Sequence, residues 1–314
     1  MKKSSLRGAL LLSLGALIWG TAFVAQSLGM EHTGPCAFNA ARSFVGSLAL
    51  LPVVFVGDRL RRRMVTNQGQ LAAFSWKDPA LWAGGALCGL FLSAATLLQQ
   101  AGLLYTTAGK AGFLTSLYIV IVPVLGIFLG RRGGARLWCA VALALAGAYL
   151  LSVAGESFGI QVGDSLVLGC AVFFSFHILV IDRFSPKVDC VKLSCIQFAV
   201  AGLISAAVAV ILERESFTWG GLFSSWGPML YAGVLSSGVA YTLQIIAQRR
   251  LDPAAASLIM SLESVFAAVS GWLVLGQPLS LREMAGCGLV FAGVVLAQLP
   301  EKKRAADAPE AERP

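Results

Sequence analysis

Glu263 stands midway along an apolar stretch of the chain, residues 254–276. An ionisable group held in hydrocarbon costs at least about 2.5–3.5 kcal/mol, so it needs a partner, a cavity or a function. A carboxyl in that position is a candidate proton carrier or a partner for a substrate ammonium. Ser261 and Ser264 are close enough in sequence to hydrogen-bond it. Arg42, within the stretch 36–56, presents a planar guanidinium fork suited to a carboxylate or phosphate. Asn39 lies one helical turn away on the same face. Because Arg42 is near one end of its stretch, it could instead snorkel to the surface. His177, within 163–182, offers an imidazole that can relay protons or serve as a hydrogen-bonded packing residue.

Uncharged polar groups extend the set. Gln99 and Gln100 end the stretch 81–103, and Thr115, Ser116 and Tyr118 lie within 108–129. Gln197 lies within 190–212, and Tyr241 and Gln244 within 226–247. Hydrogen bonds between helices explain any one of them. Converging on a common cavity, they would form a substrate or proton pathway, and Trp19 in 8–27 is placed to shape it.

The elements that must position these side chains are ten apolar stretches: 8–27, 36–56, 81–103, 108–129, 135–153, 163–182, 190–212, 226–247, 254–276 and 282–299. Each approaches the roughly 20 residues that a helix needs to cross a hydrocarbon core about 30 Å thick. Turn residues separate them at Thr33-Gly34-Pro35, Lys77-Asp78-Pro79, Ser185-Pro186, Asp252-Pro253 and Gln277-Pro278. Composition agrees. The 314 residues are 57% hydrophobic and 13% charged, with a mean hydropathy of +0.77, whereas soluble domains average about 45–50% and 25%.

The basic residues fix an orientation. Of 24 lysines and arginines, all but Lys110, Arg214, Arg282 and the intramembrane Arg42 fall at the two ends of the chain or in alternate gaps. The positive-inside rule puts those gaps, and both termini, in the cytoplasm. The net charge of +8 is thereby explained without nucleic acid. The first stretch is too long for a cleaved leader and lacks an A-x-A-like site, so it reads as a membrane helix. Seven cysteines without a C-x-x-C pair, and two histidines, give no disulfide framework and no metal-ligand spacing. No cofactor is implied. The connection 57–79 opens with Arg61-Arg62-Arg63 and contains Leu71–Trp76, either a short interfacial helix or part of a solvated basic loop. The charged tail, 300–314, reads as disordered.

Laying 86–151 on 232–297 aligns Thr96 with Thr242, Ala108 with Ala254, Gly130 with Gly276 and Gly147 with Gly293. A slightly larger shift places Gly15 on Gly169, Trp19 on Phe173 and Arg42 on Gln197. The chain therefore divides into 1–153 and 160–299, each with five spans. An odd number forces the second half to enter the membrane from the opposite side. Inverted repeats of this kind characterise secondary transporters, with the binding site near the midplane between the halves. Spans five and ten carry no ionisable residue in their interiors and have small residues at matching places, Ala140/Gly286, Ala142/Gly288 and Gly147/Gly293. They are candidates for scaffold or homodimer packing.

Ala16-Leu17-Ile18-Trp19-Gly20-Thr21-Ala22-Phe23 resembles the Trp-Gly signature in the first span of EamA-type members of the drug/metabolite transporter superfamily. Ala41-Arg42 resembles the family's Arg-bearing second helix, and Cys170–His177 the sixth-span version of the opening motif. Leu129-Gly130-Arg131 and Leu275-Gly276-Gln277 fall where the family usually has Leu-Gly-Glu, so Arg131 and Gln277 replace its glutamates. The resemblance implies an all-α integral membrane protein, ten transmembrane helices arranged as a 5+5 inverted-topology repeat, moving small polar metabolites that are often amino-acid-like.

The expectation is a secondary active transporter in the cytoplasmic membrane, working by alternating access on a small polar metabolite, with proton coupling an open alternative. A membrane-embedded enzyme or a channel is the competing class. Against the enzyme, no H-E-x-x-H occurs in or beside the spans and no paired carboxylate cluster lies within them. Against the channel, no Gly-rich pore loop is evident.

Overall fold

The computed structural model describes residues 3–68, 76–106, 108–131, 133–152, 162–215, 217–275 and 279–299. The interfacial-helix reading of Leu71–Trp76 falls almost wholly outside these residues, as do Gln277 and the 300–314 tail.

The chain is an all-α membrane protein. Its helices are α1 (Lys3–Gly29), α2 (Pro35–Gln68), α3 (Pro79–Leu103), α4 (Ala108–Ser116), α5 (Tyr118–Phe128), α6 (Ala135–Ser152), α7 (Val162–Phe184), α8 (Cys190–Leu212), α9 (Trp219–Ser224), α10 (Trp226–Leu230), α11 (Tyr241–Gln248), α12 (Pro253–Met260), α13 (Leu262–Leu275) and α14 (Leu281–Gln298). A π-helical stretch, Tyr231–Ala240, joins α10 to α11. Among the described residues, nine helical segments are long and apolar enough to cross a membrane, and Ala135–Leu151 is a shorter apolar helix.

The turn chemistry places the helix starts. Asp78, Asp189 and Asp252 each accept a backbone N–H at the head of α3, α8 and α12, and prolines follow two of them, Pro79 and Pro253. Ser280 and Glu283 form a reciprocal capping box on α14. Gly130, at φ 78°, ends α5: its N–H reaches the Ile127 carbonyl at 2.9 Å, and the Arg131 N–H reaches the Gly126 carbonyl at 2.9 Å. That pair of bonds is a Schellman closure, which requires the left-handed conformation glycine adopts freely. The Leu-Gly-Arg motif is thus a helix stop that delivers Arg131 to the end of the bundle.

Three of the expected spans are interrupted. Span four breaks at Leu117 into α4 and α5, and span nine breaks at Ser261 into α12 and α13. Span eight widens into the π-helical stretch, which meets α2 closely. A Cβ on Gly46 would come within 2.9 Å of the Gly233 carbonyl. Span two continues past its expected end, as α2 runs helical to Gln68.

Polarity is distributed as a lipid solvent requires. Large apolar side chains such as Phe55, Phe128, Ile211 and Leu273 are exposed, whereas Asn39, Arg42, Gln197 and Glu263 are buried. Spans five and ten, α6 and α14, pack against each other. A Cβ on Gly147 would lie 2.6 Å from the Gly286 carbonyl, and one on Gly293 2.7 Å from the Ala140 carbonyl. Ala140, Gly147, Gly286 and Gly293 serve this contact within one chain, whereas Ala142 and Gly288 are exposed.

Candidate functional site

A cavity with about 500 Å³ of space between its atoms lies among α1, α2, α3, α4, α5, α7, α11, α12, α13 and the π-helical stretch. Of the residues singled out in the sequence, Trp19, Arg42, Gln99, Thr115, Tyr118, Tyr241, Gln244 and Glu263 line it.

Glu263 enters on the first turn of α13, and the Tyr118 hydroxyl donates to its Oε1 at 3.0 Å. The expected serine partners behave otherwise. Ser261 donates to the Leu258 carbonyl at 2.7 Å and Ser264 to the Ser261 carbonyl at 2.8 Å. Buried serines in helices often bond back to their own turn. Here that leaves the carboxylate to Tyr118 and the cavity.

Arg42 is 4% exposed and turns inward rather than snorkelling. Asn39 accepts from its Nε at 2.9 Å, and Gln26 from Nη1 at 3.2 Å. Asn39 is itself fixed, since its amide donates to Thr96 at 2.9 Å and to Ser205 at 2.8 Å. Neutral oxygens thus aim the guanidinium, and no carboxylate among the described residues neutralises it. Glu263 likewise has no cationic partner among them. Tyr241 stands within electrostatic range of both charges.

The aromatic wall is ordered around Tyr241. Its ring meets Trp19 edge-on at 4.8 Å, Phe198 at 5.4 Å and His177 at 5.9 Å between centroids. Trp19 Nε1 is buried and finds no partner among the described residues. The glycine beside it explains the Trp-Gly pair. A Cβ on Gly20 would sit 2.6 Å from the Glu263 carbonyl oxygen and 2.7 Å from the Ala267 nitrogen. Only glycine lets α1 lie this close to the backbone that carries Glu263.

Asn39, His177 and Gln197 do not line the cavity. Asn39 is the support behind Arg42. His177 and Gln197 join each other at 3.0 Å, behind Tyr241. Sequence reasoning passed over Phe23, Gln26, Phe174, Ile178, Ser236 and Met260, all of which line the site. Gln26 was discoverable: with Trp19 and Phe23 it makes an i, i+4, i+7 stripe on one face of α1. Ser236 was not, because the π-helical stretch alters the helical period that would place it.

The sequence profile of the EamA-like transporter family matches the chain twice, over residues 6–153 and 161–299. The chain is similar to an "Uncharacterized transporter" of Archaeoglobus fulgidus, 30% identical over 289 residues, covering 92% of this chain and 84% of that protein. It is similar to "Uncharacterized transporter YwfM" of Bacillus subtilis, 25% identical over 310 residues, covering 96% and 97%. It also resembles "WAT1-related protein At3g02690, chloroplastic" of Arabidopsis thaliana, 24% identical over 293 residues, covering 90% and 67%. A crystal structure of a protein superimposes with a TM-score of 0.73 at 19% identity, covering 93% of this chain and 96% of that one, a likeness of fold alone.

Proposed function

This chain belongs to the EamA-like transporter family, and we propose that it is a secondary carrier whose central cavity binds a small zwitterionic metabolite, amino-acid-like in its charges. The observation that carries this reading is the pair Arg42 and Glu263: opposite charges in one buried cavity, each without a charged protein partner among the described residues. A buried charge left without a counter-charge is costly. A ligand carboxylate at the Arg42 fork and a ligand ammonium at Glu263 would satisfy both. Trp19, Phe174 and Tyr241 would receive the apolar part of the ligand.

The carrier mechanism we propose is alternating access between two inverted five-span halves, with both chain ends in the cytoplasm. The double profile match, the alternation of basic gaps and the paired breaks in spans four and nine support it. Two similar halves in opposite orientations can exchange conformations, which converts an outward opening into an inward one.

The test is counterflow in proteoliposomes with a panel of radiolabelled neutral amino acids. Saturable exchange that Arg42→Gln and Glu263→Gln each abolish, with both variants still inserting and folding, supports the proposal. Non-saturable flux would indicate a channel, and a chemically altered product an enzyme. Either result overturns it.

A further inference from the structure

A second concavity, of about 830 Å³, lies at the arginine-rich end of the bundle between the start of α1, the start of α8 and the end of α11. Arg7, Arg249 and Arg250 surround it, and Asp189 is the single acidic residue on its wall. Leu11 and Ile246 supply apolar surface, and the Ile246 side chain is exposed.

An excess of basic residues is expected at this end, but their pairing is uneven. Elsewhere at the same end, acids meet bases: Asp58 pairs with Lys192 at 2.8 Å, and Arg131 pairs with Asp182 and Asp252. In the concavity, Asp189 and Arg249 have partners of their own, and Asp189 Oδ1 caps α8, accepting from the N–H groups of Val191 and Lys192 at 2.9 and 3.0 Å. Arg7 and Arg250 make no ion pair among the described residues. The concavity is therefore a cationic recess beside an apolar wall.

We propose that this recess binds the phosphate headgroup of an anionic phospholipid from the adjoining leaflet, with an acyl chain against Leu11 and Ile246. A phosphodiester suits several arginines at once, because each guanidinium offers a planar pair of donors. The apolar wall distinguishes a lipid from a soluble anion. Basic recesses between membrane helices on the cytoplasmic side are suited to such headgroups, each arginine near an anionic surface contributing a factor of roughly five in affinity. The site is separate from the central cavity, so its occupancy holds whatever the transported substrate is.

The test uses the full chain purified in a neutral detergent, with lipid retention read by native mass spectrometry. Phosphatidylglycerol is expected to be retained at least about tenfold more tightly than phosphatidylcholine. Arg7→Gln and Arg250→Gln are expected to weaken it about fivefold each and about 25-fold together. Lys187→Gln, at the same end but outside the recess, is the control and should leave retention unchanged. Both arginines are exposed, so their loss should not prevent folding. Equal retention of the two lipids, or indifference to both substitutions, overturns the proposal. Inorganic phosphate competing at the lipid's own concentration overturns it in favour of a soluble anion.

Discussion

Tyr118 and Glu263 occupy the same step of two interrupted spans, to within one residue of the register that aligns Ala108 with Ala254, and the hydroxyl of one donates to the carboxylate of the other at 3.0 Å. The interruptions share a conformation. Leu117 has φ −60° and ψ −12°, and Ser261 has φ −62° and ψ −12°, against a helical ψ of about −42°. Each is a local tightening of the helix, a form that often marks a hinge. The Tyr118–Glu263 bond therefore links two matched hinges across the cavity. Tyr118→Phe keeps the ring and removes the donor. We expect uptake to fall about tenfold or more while the variant still folds, since an unsatisfied buried acceptor costs about 1–3 kcal/mol. Initial rates in proteoliposomes, compared with melting curves, decide this. A parental rate would remove the bond from the mechanism.

Arg42 tests the other pole of the site. Lysine keeps the charge but not the fork that Asn39 and Gln26 aim. Arg42→Lys is expected to weaken substrate binding about 30-fold or more, because leaving one member of a buried charge pair poorly matched costs about 2–5 kcal/mol. Asn39→Ala should do part of the same damage from outside the cavity, by releasing the guanidinium. Binding isotherms on purified protein settle both, and an unchanged Kd in either variant contradicts the assignment.

Much of this arrangement was legible in the sequence, for identifiable reasons. Apolar length and the alternation of basic gaps placed the spans, and Asp-Pro pairs marked helix starts that α3 and α12 reproduce. Intramembrane cost singled out Arg42 and Glu263, which the fold brings to one cavity. Convergence was hidden, because which faces meet depends on packing between helices far apart in sequence. His177 looked as chemical as Arg42, yet it packs behind Tyr241 with Gln197. The breaks at Leu117 and Ser261 carry no proline or glycine, so no breaker announced them. The Leu129-Gly130-Arg131 motif stood out, but not that Gly130 would stop α5 or that Arg131 would reach Asp182.

Gly20 makes a sharp prediction about packing. Its absent Cβ would meet backbone of α13, at the Glu263 oxygen and the Ala267 nitrogen. Backbone cannot swing aside as a side chain can, so Gly20→Ala must part α1 from α13. We expect a loss of about 1–3 kcal/mol, read as a lower melting temperature, together with reduced transport because Trp19 and Glu263 separate. Gly57→Ala is the control, since nothing lies within 4 Å of its would-be Cβ, and alanine there should favour the helix by up to about 1 kcal/mol. Equal behaviour of the two variants would refute the close-approach role.

The last prediction concerns closure at the arginine-rich end. Arg131 ties the end of α5 to Asp182 near the end of α7 and to Asp252, which caps α12. It therefore joins the first half of the chain to two elements of the second, where the family usually has a glutamate. If the cavity is to open at this end, the tie has to break. These side chains are partly exposed, so each pair is worth about 0–1 kcal/mol. A tie that weak adjusts an equilibrium without locking it. Arg131→Gln breaks both pairs and should raise the population open at this end by up to about 30-fold, the equivalent of 2 kcal/mol. Spin labels at Phe128 and Arg249, with the native cysteines replaced, would report the change as growth of a longer-distance component. Asp182→Asn combined with Asp252→Asn should reproduce it, and exchanging the charges of residues 131 and 182 should restore only the tie to α7, because Asp252 then faces a second carboxylate. Distance distributions unaltered in all three variants would show that Arg131 fastens a helix end and takes no part in opening.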